Sequence, residues 1–139
     1  MQYETIAAEL LNTHAELLHV QASQEMSKLM KGELFVLNYL DTHGPQSHPS
    51  KISKDMEVST ARIAALLNHL EEKGLVIRSS DPEDNRQVLV QLTDEGAEKI
   101  AQSRKEALFY VTDMLKHLGP DDSRELLRIE KKIVQYYCK

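Results

Sequence analysis

Apolar residues recur at a helical period over most of the chain, and that period is interrupted once. Ile6, Leu10, Leu17 and Val20 share one stripe, with Glu9, Glu16 and Gln21 off it. This spacing predicts a long first helix over about residues 3–24. The stretch from Glu33 to Thr42 is apolar nearly all round, at Leu34, Phe35, Val36, Leu37 and Leu40, which predicts a short helix buried on several sides. His43-Gly44-Pro45 stops it. Pro49 suits the first turn of a third helix over about 49–56, where its missing N–H costs nothing. Ser59 is placed to cap a fourth, over about 60–73. Ile63, Leu66, Leu67 and Leu70 form that helix's apolar stripe, and Gly74 stops it.

The pattern then shortens to a period of two. Leu75 to Arg78 reads as a short strand and residues 79–85 as turn-rich. In 86–92, Val88, Val90 and Leu92 alternate with Gln87 and Gln91, which completes a hairpin. Thr93, followed by Asp94 and Glu95, suits the start of a long fifth helix, since acids favour the positive end of the helix dipole. Leu108, Val111, Leu115 and Leu118 carry its stripe. Gly119-Pro120-Asp121 breaks it, and Leu126, Ile129, Ile133 and Tyr136 mark a last helix. The five glycines and four prolines all lie at or near these boundaries.

Composition narrows the class. The 139 residues suit one domain, or a small domain with helical extensions. With 41% hydrophobic and 28% charged residues the chain reads as a folding one, not a disordered one. The low aromatic content and absence of Trp leave the core to Leu, Ile, Val, Ala and Met. One cysteine, Cys138, excludes a disulfide framework and a multi-cysteine zinc site within one chain, and suits a free thiol in a reducing compartment. The start of the chain lacks a basic region followed by an apolar one, and no apolar run approaches the roughly 20 residues of a membrane span. A cytoplasmic location with no membrane partner is the expectation. A net charge of −5 argues against a nonspecific polyanion binder, but not against a reader with a few well-placed cations.

Two short helices, the second polar on one face, followed by a hairpin make a winged helix-turn-helix. Three stretches carry a family resemblance along essentially the whole chain. They are His48-Pro49-Ser50-Lys51-Ile52; Val58 to Ile63 continuing to Leu70-Glu71-Glu72-Lys73-Gly74-Leu75-Val76; and Asp81 to Arg86 continuing to Leu92-Thr93-Asp94-Glu95-Gly96. In this order the chain resembles the multiple-antibiotic-resistance regulator (MarR) family of bacterial transcription factors. His48 stands where that family usually has a capping Thr. The resemblance implies a mainly α fold with a small β-hairpin wing. It places a DNA-binding winged helix-turn-helix at 31–92, with helices at 1–30 and 93–139 forming a dimerisation region. It further implies a homodimeric, ligand-responsive regulator of double-stranded DNA, most often a repressor, acting on a pseudo-palindrome.

Helical geometry places Ala61, Ala65, Asn68 and Glu72 opposite the Leu stripe of the fourth helix, with Arg62 and His69 on one flank and Ala64 on the other. Small residues let a helix approach a groove floor. Alanine methyls can meet thymine methyls, and Arg can bond guanine through two atoms. The competing reading is a solvated face of helix formers. Ser59 and Thr60 at the helix start suit a phosphate oxygen, and Ser59 also suits plain capping. Ser50, in the matched start of the third helix, joins the candidate DNA contacts. Asp84 and Arg86 are two apart and face the same way in an extended strand. The resemblance makes Arg86 the wing-tip arginine for the minor groove and Asp84 its support. The family often has a second basic residue at the position of Asn85, and here the wing is instead acidic. From Ser50 to Leu92 six cations face seven anions, which predicts weak nonspecific affinity and a modest salt dependence.

The six histidines show no metal-ligand spacing, and no nucleophile, phosphate loop or carboxylate pair suggests catalysis. No cofactor and no metal are expected. Redox-sensing members of the family carry a cysteine near the N-terminus, and this chain has none there. In the family, effectors bind between the dimer helices and the winged helix. Here Leu17, Val20, Phe35 and Tyr39 would wall such a crevice, with His14, His43 and Arg104 as polar candidates. That mixture suits a small aromatic or anionic ligand; simple packing is the alternative. A winged-helix protein–protein module, favoured by the acidic balance, is the rival to DNA binding, and a small enzyme is the third class.

Overall fold

A computed structural model describes residues 2–44 and 46–138. Pro45, part of the helix stop expected at 43–45, lies outside the described residues, as does Met1 of the N-terminal stretch. The elements run α1 (Gln2–Leu17), α2 (Gln21–Leu29), α3 (Gly32–Thr42), β1 (Gln46–Ser47), α4 (Pro49–Met56), α5 (Thr60–Glu72), β2 (Val76–Asp81), β3 (Asp84–Leu92), α6 (Asp94–Leu118) and α7 (Pro120–Tyr137). The fold is mainly α with a small antiparallel sheet in the order β1-β3-β2.

The single first helix expected over 3–24 is two. The chain turns at Leu18–Val20, where His19 and Val20 donate to the carbonyls of Glu16 and Leu17, and Val20 is extended at ψ 131°. Neither Gly nor Pro marks this break. Its cause is tertiary: redirecting the chain buries Ala22 and Leu29 of α2, which packs on α6. Propensity yields to burial there. The hairpin is also longer than expected. Ser79 and Ser80, read as turn, pair with Leu89 and Val88, so the reversal narrows to Pro82-Glu83. The strand β1 pairs Gln46 with Gln91 and Ser47 with Val90, and had no sequence signal.

The core lies in the middle of the chain. Leu37 and Leu40 of α3, Ile52 of α4, Ile63, Leu67 and Leu70 of α5, Val76 and Val90 of the sheet and Ile100 of α6 are fully buried. Local chemistry sets the joints. The end of α5 is a Schellman motif, with Gly74 at φ 76°, its N–H on the Glu71 carbonyl and the Leu75 N–H on the Leu70 carbonyl. Thr93 then ties three elements together. Its N–H donates to the Leu75 carbonyl at 3.1 Å, its hydroxyl donates to the Gly74 carbonyl at 2.7 Å, and that hydroxyl accepts the Gly96 N–H at 3.0 Å. A Cβ on Gly96 would sit 2.1 Å from the Leu75 carbonyl oxygen, so α6 approaches the end of α5 as closely as only glycine allows.

Both ends of the chain differ from this core. α1 and α7 contain no buried residue, and they expose Ile6, Leu10, Leu11, Leu127, Ile133, Val134 and both C-terminal tyrosines. Leu108 and Phe109 of α6 are exposed beside them.

Candidate nucleic-acid interface

Helices α4 and α5 and the wing form one surface. The turn between the helices needs a left-handed residue, which Glu57 supplies at φ 58°, and the Val58 N–H then bonds the Ser53 carbonyl. Ser59 is extended, and its hydroxyl accepts the Arg62 N–H at 3.1 Å, so Ser59 caps α5. The stripe Ile63, Leu66, Leu67 and Leu70 is buried. Everything opposite it faces solvent: Thr60, Ala61, Arg62, Ala64, Ala65, Asn68 and His69. Ser50 is exposed in the first turn of α4.

A cavity of about 530 Å³ separates α5 from the wing. Thr60 and Ala64 line one wall, Ser79 and Arg86 the other, and Ser50 lies at its end. At the wing, the Asp84 carboxylate accepts both the Arg86 main-chain N–H (3.1 Å) and its Nε–H (3.2 Å). The Arg86 side chain is 90% exposed and Asp84 only 34%. The geometry therefore presents the guanidinium outward from a fixed root. As a surface ion pair it adds little stability.

The near-neutral charge count hides an uneven distribution. Arg78 is held by Glu71 through Nε and Nη2, at 3.2 and 2.9 Å. The Arg78 main-chain N–H also bonds Glu71, and these bonds hold the Glu71 carboxyl below the ordinary glutamate range. Lys73 pairs with Glu33 at 2.8 Å. Asp55 accepts the Tyr39 hydroxyl at 2.6 Å, and Asp81 is paired with His48. Among the described residues, Arg62, Lys51 and Lys54 are exposed cations without an ion-pair partner. Of the anions, Glu71, Asp81 and Asp84 are paired and Asp55 accepts the Tyr39 hydroxyl, while Glu57, Glu72 and Glu83 are exposed; the unpaired cations Lys51, Lys54 and Arg62 lie on α4 and the first turn of α5.

The residues read as an effector crevice fall on or near α1, α3 and α6. Phe35, Tyr39 and His43 stack along α3, with centroids 6.3 and 4.2 Å apart. Tyr39 is buried, and burial together with the Asp55 carboxylate pushes its phenol up to about 12. Arg104 of α6 reaches α3 and donates to the Asn38 side-chain oxygen at 2.7 Å. His14 and Leu17 are exposed on α1, and Val20 lies exposed at the break. No group of three or more His, Cys, Asp or Glu among the described residues could hold a metal ion. No helix of the described residues is long and apolar enough to cross a membrane.

One participant had only a faint signal. His48, visible in the sequence as a departure from a capping Thr, does not cap α4 with its side chain. It reaches the wing instead, with Nδ1 3.0 Å from the Val88 carbonyl and Nε2 3.2 Å from Asp81.

A helix-turn-helix with a partly free cationic face, joined to a hairpin with an arginine at its tip, defines a winged helix-turn-helix protein. A family model described as MarR family matches residues 29–88. YdgJ of Bacillus subtilis, called an uncharacterized HTH-type transcriptional regulator, is 36% identical over 97 residues, covering 70% of this chain and 57% of that protein. The match therefore spans less than two thirds of that relative's length. MdtR of Bacillus subtilis, called an HTH-type transcriptional repressor, is 28% identical over 113 residues, covering 81% of this chain and 72% of MdtR. A MarR family protein from Bacillus stearothermophilus shares the fold, with a TM-score of 0.80 at 20% identity over 100% of this chain and 99% of that one. In sequence over residues 29–88 and in fold over the whole chain, this chain is similar to MarR family proteins, and the two Bacillus subtilis relatives are named as transcriptional regulators.

Proposed function

We propose that this chain is a sequence-specific DNA-binding regulator that acts as a homodimer in the cytoplasm and represses transcription from a pseudo-palindromic operator. The observation that carries the reading is the exposed ridge of α5, small at Ala61 and Ala65, with the unpaired Arg62 in its first turn and the outward Arg86 across the cavity. Small side chains admit the helix to a major groove, and the two arginines fit a base edge and a minor groove. Ser50, Ser59, Thr60 and Asn68 complete the proposed contact set, and Asp84 supports Arg86. The repressor role is supported by the likeness to MdtR, which is named as one.

Residues 31–92 are the proposed reading region and 1–30 with 93–139 the proposed dimerisation region. The dimer is supported by the apolar surface of α1, α6 and α7 that one chain leaves bare. Two α5 helices would then address one duplex face about 34 Å apart. The proposed signal is a small aromatic or anionic effector. Its proposed seat is where α3 meets α6, at Phe35, Tyr39, His43 and Arg104, with His14 and Leu17 of α1 closing over it in the dimer.

A mobility-shift assay with DNA upstream of the chain's own gene tests the reading. A shift at low salt that a scrambled duplex of equal length does not give supports it. No shift overturns it in favour of a protein-binding winged helix. Sedimentation at micromolar concentration tests the dimer, which a monomeric mass overturns.

A further inference from the structure

His48 makes two side-chain contacts to the outer part of the wing. This residue precedes α4, forty positions before Val88, yet its ring lies between both wing strands. Nδ1 is 3.0 Å from the Val88 carbonyl of β3, and Nε2 is 3.2 Å from the Asp81 carboxylate of β2. A carbonyl only accepts, so Nδ1 carries a proton and donates. A ring protonated at Nε2 as well donates to both partners. A ring protonated only at Nδ1 turns a lone pair toward a carboxylate. Side-chain exposure is 34% for His48 and 15% for Asp81, so this pair is less solvated than the Asp84–Arg86 pair at the tip. Asp81 is further fixed by the Glu83 main-chain N–H at 2.9 Å. It lies at the irregularity in the ladder, where β2 shifts register beside Ser80.

We propose that His48 is a positioning residue that clamps the wing to the start of α4 and thereby sets where Arg86 is presented relative to the recognition helix. The inference rests on the DNA-binding reading above. The covalent path from α5 to Arg86 runs through β2 and the turn. The β1–β3 pairing and the Arg78–Glu71 bonds hold the base of the wing, and the clamp adds an anchor farther out, at Val88 and Asp81, tied to the start of α4, which packs directly on α5. An anchor nearer the tip limits how far the outer hairpin bends and so narrows where Arg86 is presented. The charged groups around the ring are few. On the wing strands Arg78 is held by Glu71 and Arg86 by Asp84, leaving Asp81 as the carboxylate that meets the ring. On α4, Asp55 is taken by Tyr39, and Lys51 and Lys54 are exposed. The clamp therefore rests on the two contacts of the His48 ring, to the Val88 carbonyl and the Asp81 carboxylate.

The test separates the clamp from DNA binding. In the free protein, tryptic cleavage after Arg86, followed by mass spectrometry, reports wing opening. His48→Ala should raise that rate about fivefold, the worth of one or two lost hydrogen bonds. Asp81→Asn, which breaks the ion pair from the wing side, serves if His48→Ala does not fold. With DNA, Arg86→Ala is measured in the wild-type and His48→Ala backgrounds. The clamp predicts that the penalty for losing Arg86 shrinks at least threefold once His48 is gone. Unchanged cleavage together with an unchanged Arg86 penalty overturns the proposal. If the wild-type chain binds no DNA, the functional reading fails, and the cleavage rate alone still decides whether His48 holds the wing.

Discussion

Replacing Gly96 by Ala sets two effects against each other. Gly96 lies in the first turn of α6, where helix propensity alone favours Ala by about 1 kcal/mol. The structure opposes this. The new Cβ would lie 2.1 Å from the Leu75 carbonyl oxygen and 2.8 Å from Leu92 Cδ1. The carbonyl is main chain, fixed between a Schellman motif and a strand, and must retreat by more than about 1 Å to reach ordinary contact distance. It also accepts the Thr93 N–H at 3.1 Å, a bond that such a retreat breaks. Overpacking costs about 1–3 kcal/mol and the lost bond about 1 kcal/mol. With the propensity gain subtracted, Gly96→Ala should destabilise by about 2 kcal/mol. Urea unfolding at one fixed protein concentration measures this as a midpoint lower by roughly 1 M, since slopes for small proteins are about 1–3 kcal/mol per molar. Ala101→Gly, exposed farther along α6, is the companion, costing only the propensity difference of about 1 kcal/mol. A Gly96→Ala protein as stable as wild type, or more so, would refute the close approach.

Four further outcomes follow from the same geometry. Arg62→Ala should cost about 1–3 kcal/mol on the specific site and relax one base position, read by competition binding with single-base variants. Arg86→Ala should matter most on sites with an A·T-rich flank, and equal sequence-independent losses for both arginines would show that neither reads sequence. Glu71 has a folded carboxyl held below its ordinary value by Arg78, so its contribution is complete above that value and disappears as pH falls through the folded one. The acid limb of the stability curve, below about pH 4.5, should therefore flatten in Glu71→Gln, and an unchanged limb contradicts the pairing. Tyr39 is the opposite case: its raised phenol contributes below pH 10 and loses that contribution as pH rises toward about 12, while Tyr39→Phe should cost about 1 kcal/mol at neutral pH by denaturant titration.

What could be read in the sequence was local. The apolar stripe of α5, the caps at Ser59 and Thr93 and the stop at Gly74 each depend on residues within one or two turns, and each is where the spacing placed it. The wing was legible because alternation is equally local, although its reach was underread at Ser79 and Ser80, which pair as strand without an apolar signal. The break at Leu18–Val20 was not legible, because its cause is the packing of α2 on α6, more than seventy residues away in the chain. The charge count could not say which charges are paired, for the same reason. Glu33 with Lys73, Arg104 with Asn38 and His48 with the wing are partners across forty residues or more, and only the fold reveals which cations remain free.

The knot at Thr93 has a mechanical consequence. It fastens the first turn of α6 to the end of the recognition helix, and from there α6 runs 25 residues without a break. At 1.5 Å per residue that is a rod about 37 Å long. A tilt of only about 5° at its far end, where α7 begins, becomes a sideways displacement of roughly 3 Å at the reading head, close to the rise of one base pair. In a dimer two such rods would swing in opposite senses, so the spacing between the heads would change by twice that amount. In the proposed dimer, a small rearrangement among side chains at the helical end would be felt as a mismatch of whole base steps on the duplex.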